Sequence, residues 1–177
     1  MTTTTYELDP VHSHIGFSIR HMMVSQQRGQ FSGASGTLVL DRENLASSRL
    51  EVSIDAATIN THNTDRDNHL RSPDFFDVAN HPKITFVARS AKTDSNGDLR
   101  VTGDLTIKGT TKSVELTADP LSEESKDPFG NIRIGTSVHG KVSRKEFGLV
   151  WNAVLETGGV ALADEVKLMI DVQFVRK

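Results

Sequence analysis

The chain has 177 residues, a formal net charge of −3 and no cysteine. That length suits a single domain, residues 1–177, with room for a core and a cavity; its interspersed charges give no basic face for nucleic acid. Without cysteine there is no disulfide framework, thiolate metal site or cysteine nucleophile, and no run is long and apolar enough to cross a membrane as a helix.

The amino terminus, MTTTTYELDP, has neither a basic segment nor an apolar run. No signal peptide is therefore expected in this chain, and a cytoplasmic location is the expectation for it as given. Period-two alternation then begins, with Ile15, Phe17 and Ile19 set against His14, Gly16, Ser18 and Arg20. From Gly29 to Leu40, Phe31, Leu38, Val39 and Leu40 mix with glycines, which predicts a bent or bulged strand. Leu50, Val52 and Ile54 restore a clean alternation.

The next stretch, RDNHLRSPDFFDVANHP (66–82), interrupts the β pattern. Thr64 stands three residues before Asp67, as in a capping box with Asp in place of Glu, and Asp67 and Arg71 are spaced for an i,i+4 charge pair on a helix. Ser72 and Pro73 suit the N-cap and first position of a second turn carrying Phe75 and Phe76. Two adjacent phenylalanines in a short polar insert are expected to close one end of the barrel.

Ile84, Phe86 and Ala88 resume the alternation, followed by Leu99, Val101, Leu105 and Ile107, then Val114, Leu116 and Ala118. Ile132, Ile134, Val138 and Val142 come next, and Val166, Leu168, Ile170, Val172 and Phe174 end the series. Each run has one apolar and one polar face, the mark of a half-buried antiparallel strand. Ser95-Asn96-Gly97-Asp98, Lys108-Gly109-Thr110-Thr111 and Asp127-Pro128-Phe129-Gly130-Asn131 read as tight connections. The fold expected is all-β: an eight-stranded antiparallel up-and-down barrel with a short helical insert. Strands of eight or nine residues would make it roughly 28 Å long. A membrane-spanning barrel shows the same alternation, but one Trp and one Tyr are too few for aromatic girdles.

Polar motifs offer little chemistry. His12 and His14 form an HxH read as strand, with His21 nearby, yet no supporting carboxylate or thiolate stands at short spacing and His14 shares parity with polar residues. Ser13 and its flanking histidines would point to opposite faces. There is no GxSxG, HExxH, P-loop or Rossmann fingerprint. Neither a catalytic residue, a metal nor a cofactor is assigned.

Four stretches carry a family resemblance: YELDPVHSHIGFSIRHMMVSQQRGQF (6–31), DAATINTHNTDRDNHLRSPDFFDVANHPKITF (55–86), GDLTIKGTTKSVEL (103–116) and RKEFGL (144–149). In these the chain resembles the YceI-like family, lipocalin-like barrels that bind polyisoprenoid lipids. The resemblance implies a barrel interior that takes an isoprenoid chain, such as a polyprenyl phosphate or quinone tail, with no established enzymatic activity. Many relatives carry a secretory signal peptide, and none is expected in this chain. The alternating set Phe17, Ile19, Val52, Ile54, Phe86, Val101, Leu105, Ile107, Ile134, Val138, Leu168 and Ile170 would pack as a filled core or line a cavity, and the resemblance favours the cavity. Arg66, His69, Arg71 and Arg144 are the candidates to meet a polar head group at the rim, with Trp151, Phe129 and Phe147 as lids or loop anchors. The resemblance also suggests a homodimer. An isoprenoid-modifying or hydrolytic enzyme on the same barrel is the alternative function.

Overall fold

A computed structural model describes residues 2–156 and 158–177. Among these residues the strands are β1 (Thr4–Leu8), β2 (His14–His21), β3 (Ser25–Phe31), β4 (Ala34–Leu40), β5 (Arg49–Asp55), β6 (Lys83–Thr93), β7 (Leu99–Ile107), β8 (Thr110–Ala118), β9 (Ser125–Lys126), β10 (Ile132–Ser143) and β11 (Leu162–Arg176). One α-helix, α1 (Thr64–Arg71), lies between β5 and β6 among the described residues. All pairings are antiparallel, and the sheet closes where β10 meets β11 from Arg133↔Val175 to Ser143↔Glu165.

Eleven strands fill eight positions around the barrel. β1 and β2 are two halves of one position, because both run along β11: Tyr6 faces Arg176 and Phe17 faces Leu168. Between them the ladder breaks, and the Ser13 hydroxyl oxygen accepts the Gln173 N–H at 3.0 Å. β3 and β4 copy the break one position over, at Ser32-Gly33, where both N–H groups donate to Thr58 Oγ1. The glycine-rich stretch read as one bent strand is thus two collinear strands around a kink, beginning earlier, at Ser25. β10 and β11 reach 12 and 15 residues, longer than the alternation suggested.

The connections follow their turn chemistry. Lys108 and Gly109 both adopt positive φ (50° and 76°), matching the strand twist as a two-residue hairpin requires. Asp94 and Asp127 each use a carboxylate oxygen to accept backbone N–H groups across their turns. Apolar parity faces inward and polar parity outward: Arg100 pairs with Glu115 at 3.2 Å and Lys141 with Glu165 on the outside. A lipid-facing barrel would have the reverse arrangement. At one end, the base, Tyr6, Leu8, Leu38, Leu40, Ile134 and Phe174 pack into a buried apolar cluster.

Candidate functional site

Above the base the barrel holds a continuous cavity of about 680 Å³, within the roughly 300–1,000 Å³ typical of small-molecule sites. Phe17 and Ile19 of β2, Val52 and Ile54 of β5, Phe86 of β6, Val101, Leu105 and Ile107 of β7, Val138 of β10, and Leu168 and Ile170 of β11 all line it. Ile134 does not. It is 2% exposed, pairs with Phe174 and belongs with Tyr6 to the buried cluster at the base, whose Leu8, Leu38, Leu40 and Phe174 do line the cavity. Phe31, Ile84, Val114, Leu116, Val142 and Val166 complete much of the wall.

Two cross-strand glycines keep this space open. Gly29 pairs with Phe17, and a Cβ added to it would lie 2.4 Å from the ring; one added to Gly103 would lie 2.5 Å from the ring of Phe86. Each ring occupies the place of the missing side chain and lies along the wall instead of crossing the axis.

The insert covers the other end, the mouth. Asn63 caps α1 by accepting the Arg66 N–H at 2.9 Å, so the cap is Asn63 and not Thr64. Asp67 and Arg71 do not pair. Asp67 is buried and accepts both the N–H and the hydroxyl of Thr61 (2.9 and 2.5 Å); Arg71 donates to the carbonyls of Ala57 and Ile59 and to Asn68 Oδ1. These bonds tie the helix to the segment after β5, which i,i+4 spacing does not reveal. Ser72 ends α1, and Phe75 and Phe76 sit in a following turn, where the Ser72 hydroxyl oxygen accepts the Asp74 N–H at 3.3 Å. Lys108 Nζ fastens that turn through Pro73 O at 2.7 Å.

Both phenylalanines face the cavity. Phe76 meets Phe31 edge-on with centroids 5.7 Å apart, and Phe75 meets Trp151 at 5.5 Å. Beneath them Phe147 and Leu149 are buried. Trp151 therefore stands at the mouth and Phe147 anchors the loop, while Phe129, 90% exposed on the β9–β10 turn, is at the base and lids nothing.

Of the rim candidates, Arg66, His69 and Arg144 line the cavity and Arg71 does not, its guanidinium being drawn back to the carbonyls named above. Arg66 donates to Thr61 Oγ1 and O at 2.7 and 2.6 Å. His69 bonds Asp74 at 2.8 Å and stacks edge-on against Trp151 at 4.6 Å. Arg144 is buried, and its N–H groups go to the carbonyls of Leu149, Trp151 and Ala163 (2.6, 2.9 and 2.7 Å). Burial pulls its pKa below the ordinary value, against the opposing field of Asp164. Burial works to raise Asp164, but bonds from the Ser143 hydroxyl and the Lys145 N–H hold it below the usual carboxylate range. Arg144 thus fixes the loop that carries Trp151. At the far end His12 lies in a turn before β2 and not on a strand, and its Nδ1 bonds Asp9 Oδ2 at 2.8 Å, a carboxylate three residues back; His14 is exposed.

The model of the YceI-like domain matches residues 6–174. A UPF0312 protein of Staphylococcus epidermidis is 38% identical over 172 residues, covering 97% of each chain. A YceI protein of Campylobacter jejuni of known crystal structure superposes with a TM-score of 0.74 at 32% identity, over 96% of both chains. A polyisoprenoid binding domain from Saccharophagus degradans shares the fold, with a TM-score of 0.69 at 16% identity over 98% of this chain and 99% of that one. The chain belongs to the YceI-like family.

Proposed function

We propose that this YceI-like chain is a lipid-binding protein, not an enzyme, that holds a polyisoprenoid or similar long-chain lipid in its barrel for transport, storage or sequestration. The observation that carries this reading is a cavity walled by aliphatic and aromatic side chains, continuous with the apolar cluster at the base and narrowed at the mouth by Phe75, Phe76 and Trp151. Each buried methylene of a hydrocarbon tail contributes about 0.8 kcal/mol, so such a wall holds a tail without specific polar contacts. The polyisoprenoid binding domain from Saccharophagus degradans, which has this fold, supports the ligand class. A polyprenyl phosphate or quinone-type head would lie at the mouth, near Arg66 and His69.

Extraction of the purified protein with organic solvent, followed by mass spectrometry, tests the reading. A long-chain isoprenoid near one per barrel is expected; recovery of none after expression in a lipid-replete host sinks it. The His69–Asp74 pair beside the cavity gives the enzymatic alternative a concrete form. Turnover of a polyprenyl phosphate that stops in His69→Gln would put that alternative in its place.

A further inference from the structure

Several apolar side chains that the barrel leaves in solvent lie together at the rim of the mouth, while others, such as Val11 and Phe129, are exposed elsewhere. In the β2–β3 connection Met22, Met23 and Val24 are 42%, 62% and 79% exposed, and in the facing loop Val154 is 84% exposed. The two segments touch. The Met22 N–H donates to Ala161 O at 2.7 Å, and Met23 Sδ lies 2.6 Å from where a Cβ on Gly159 would stand. His21, Trp151 and Ala161, their neighbours in the chain, line the cavity, so the apolar rim and the mouth are continuous.

The backbone of the turn does not favour these residues. Met22 and Met23 both have positive φ (54° and 58°), a region that Asn and Gly adopt readily and methionine does not. Charge adds a second feature. No Asp or Glu occurs between Asp9 and Asp41. Arg20 and Arg28 stand opposite Gln26 and Ser18 respectively, and Arg28 is exposed while also bordering the cavity. Neither has a carboxylate partner among the described residues. A chain of net charge −3 therefore presents a locally cationic, apolar-tipped hairpin beside its cavity; Glu156 of the facing loop is exposed nearby.

We propose that this rim docks the protein on an anionic lipid bilayer. Met22, Met23 and Val24 enter the interface, Arg20 and Arg28 meet head-group phosphates, and the mouth opens onto the hydrocarbon. The proposal rests on the lipid-binding reading above, since docking lets an apolar ligand pass between bilayer and cavity without crossing water. A second copy of the chain is the competing occupant, but a two-fold pairing through this hairpin would bring its arginines together.

Flotation with phosphatidylcholine vesicles, with and without phosphatidylglycerol, is the test, run beside uptake of a polyprenol added in vesicle-free solution. Binding to the anionic vesicles is expected, weakened roughly tenfold or more in Arg20→Gln/Arg28→Gln. Met22→Asn/Met23→Gly suits the turn better, so it should fold at least as stably and still lose vesicle binding. Wild-type protein that takes up polyprenol yet never floats overturns the docking and leaves the lipid-binding reading standing; flotation without uptake supports docking and fails that reading. If the Asn-Gly variant keeps full vesicle binding, or changes from dimer to monomer with vesicle binding intact, the rim is not the docking surface.

Discussion

At the base of the barrel, Tyr6, Leu38, Leu40, Ile134 and Phe174 pack into one buried cluster, of which Leu38, Leu40 and Phe174 also line the lower end of the cavity. At the mouth, strands with the same alternation surround a cavity, and the rings that narrow it, Phe75, Phe76 and Trp151, come from the insert and a loop. Alternation alone does not separate the two. What separates them is the partner of each large side chain. Phe17 lies over Gly29 and Phe86 over Gly103, so these rings are part of the wall, whereas Ile134 pairs with Phe174 inside the buried cluster of the base.

This contrast is broken most directly at the base. Phe174→Ala removes a buried ring from the apolar cluster at the base and is expected to cost about 3–5 kcal/mol, read as a lower urea midpoint. Phe76→Ala removes a half-buried ring beside the cavity; it should cost less, about 1–2 kcal/mol, and speed release of a fluorescent polyprenyl lipid. Equal losses of stability with unchanged release would show that the mouth is ordinary core.

A substitution in the wall sharpens the glycine argument. Gly29→Ala places a methyl 2.4 Å from the Phe17 ring and 2.9 Å from Thr61 Cγ2, so the ring must swing toward the axis. Overpacking of this kind costs about 1–3 kcal/mol, and the displaced ring should reduce lipid capacity, measured by titration with polyprenols of increasing length. Unreduced capacity for the longest chain would mean that Gly29 does not set the width of the lumen.

Much of this architecture was legible in the residues. Strict alternation located seven runs, and Asn96-Gly97 and Lys108-Gly109 located hairpins, because both signals are local. β1 was missed because Thr4–Leu8 is short and polar, and its place is set by β4 and β11, which lie far along the chain. Most of the cavity wall followed from parity. Ile134 did not, since parity gives the face of a strand but not its height in the barrel. The strand glycines opposite Phe17 and within reach of Phe86 were the available sign of an open lumen. The Asp67–Thr61 and Arg71–carbonyl bonds left no comparable trace, for they depend on how the insert folds back.

The smallest expected effect concerns what holds the base in acid. Arg133 bridges the bend after β1 and the β9–β10 turn, donating to Asp9 Oδ2 at 2.6 Å and Asp127 Oδ2 at 2.7 Å. Burial acts to raise Asp9, but bonds from Arg133, His12 and two backbone N–H groups bring it down to about 2, from an ordinary 3.8. Asp127 is held down in the same direction, first by Arg133. A carboxyl that binds its proton more weakly when folded than when unfolded stabilises the fold fully above its unfolded pKa. That contribution fades as pH falls from about 4 through about 2. In Arg133→Gln both carboxyls return toward their usual range, so the variant should be less stable at neutral pH and should lose less between pH 4 and 2. The chain's one tyrosine, Tyr6, lies in the base and its one tryptophan, Trp151, at the mouth, so fluorescence reports on each end separately. Urea midpoints across this pH range should converge between the two proteins in the Tyr6 signal; parallel curves with a constant gap would show that the bridge contributes packing alone.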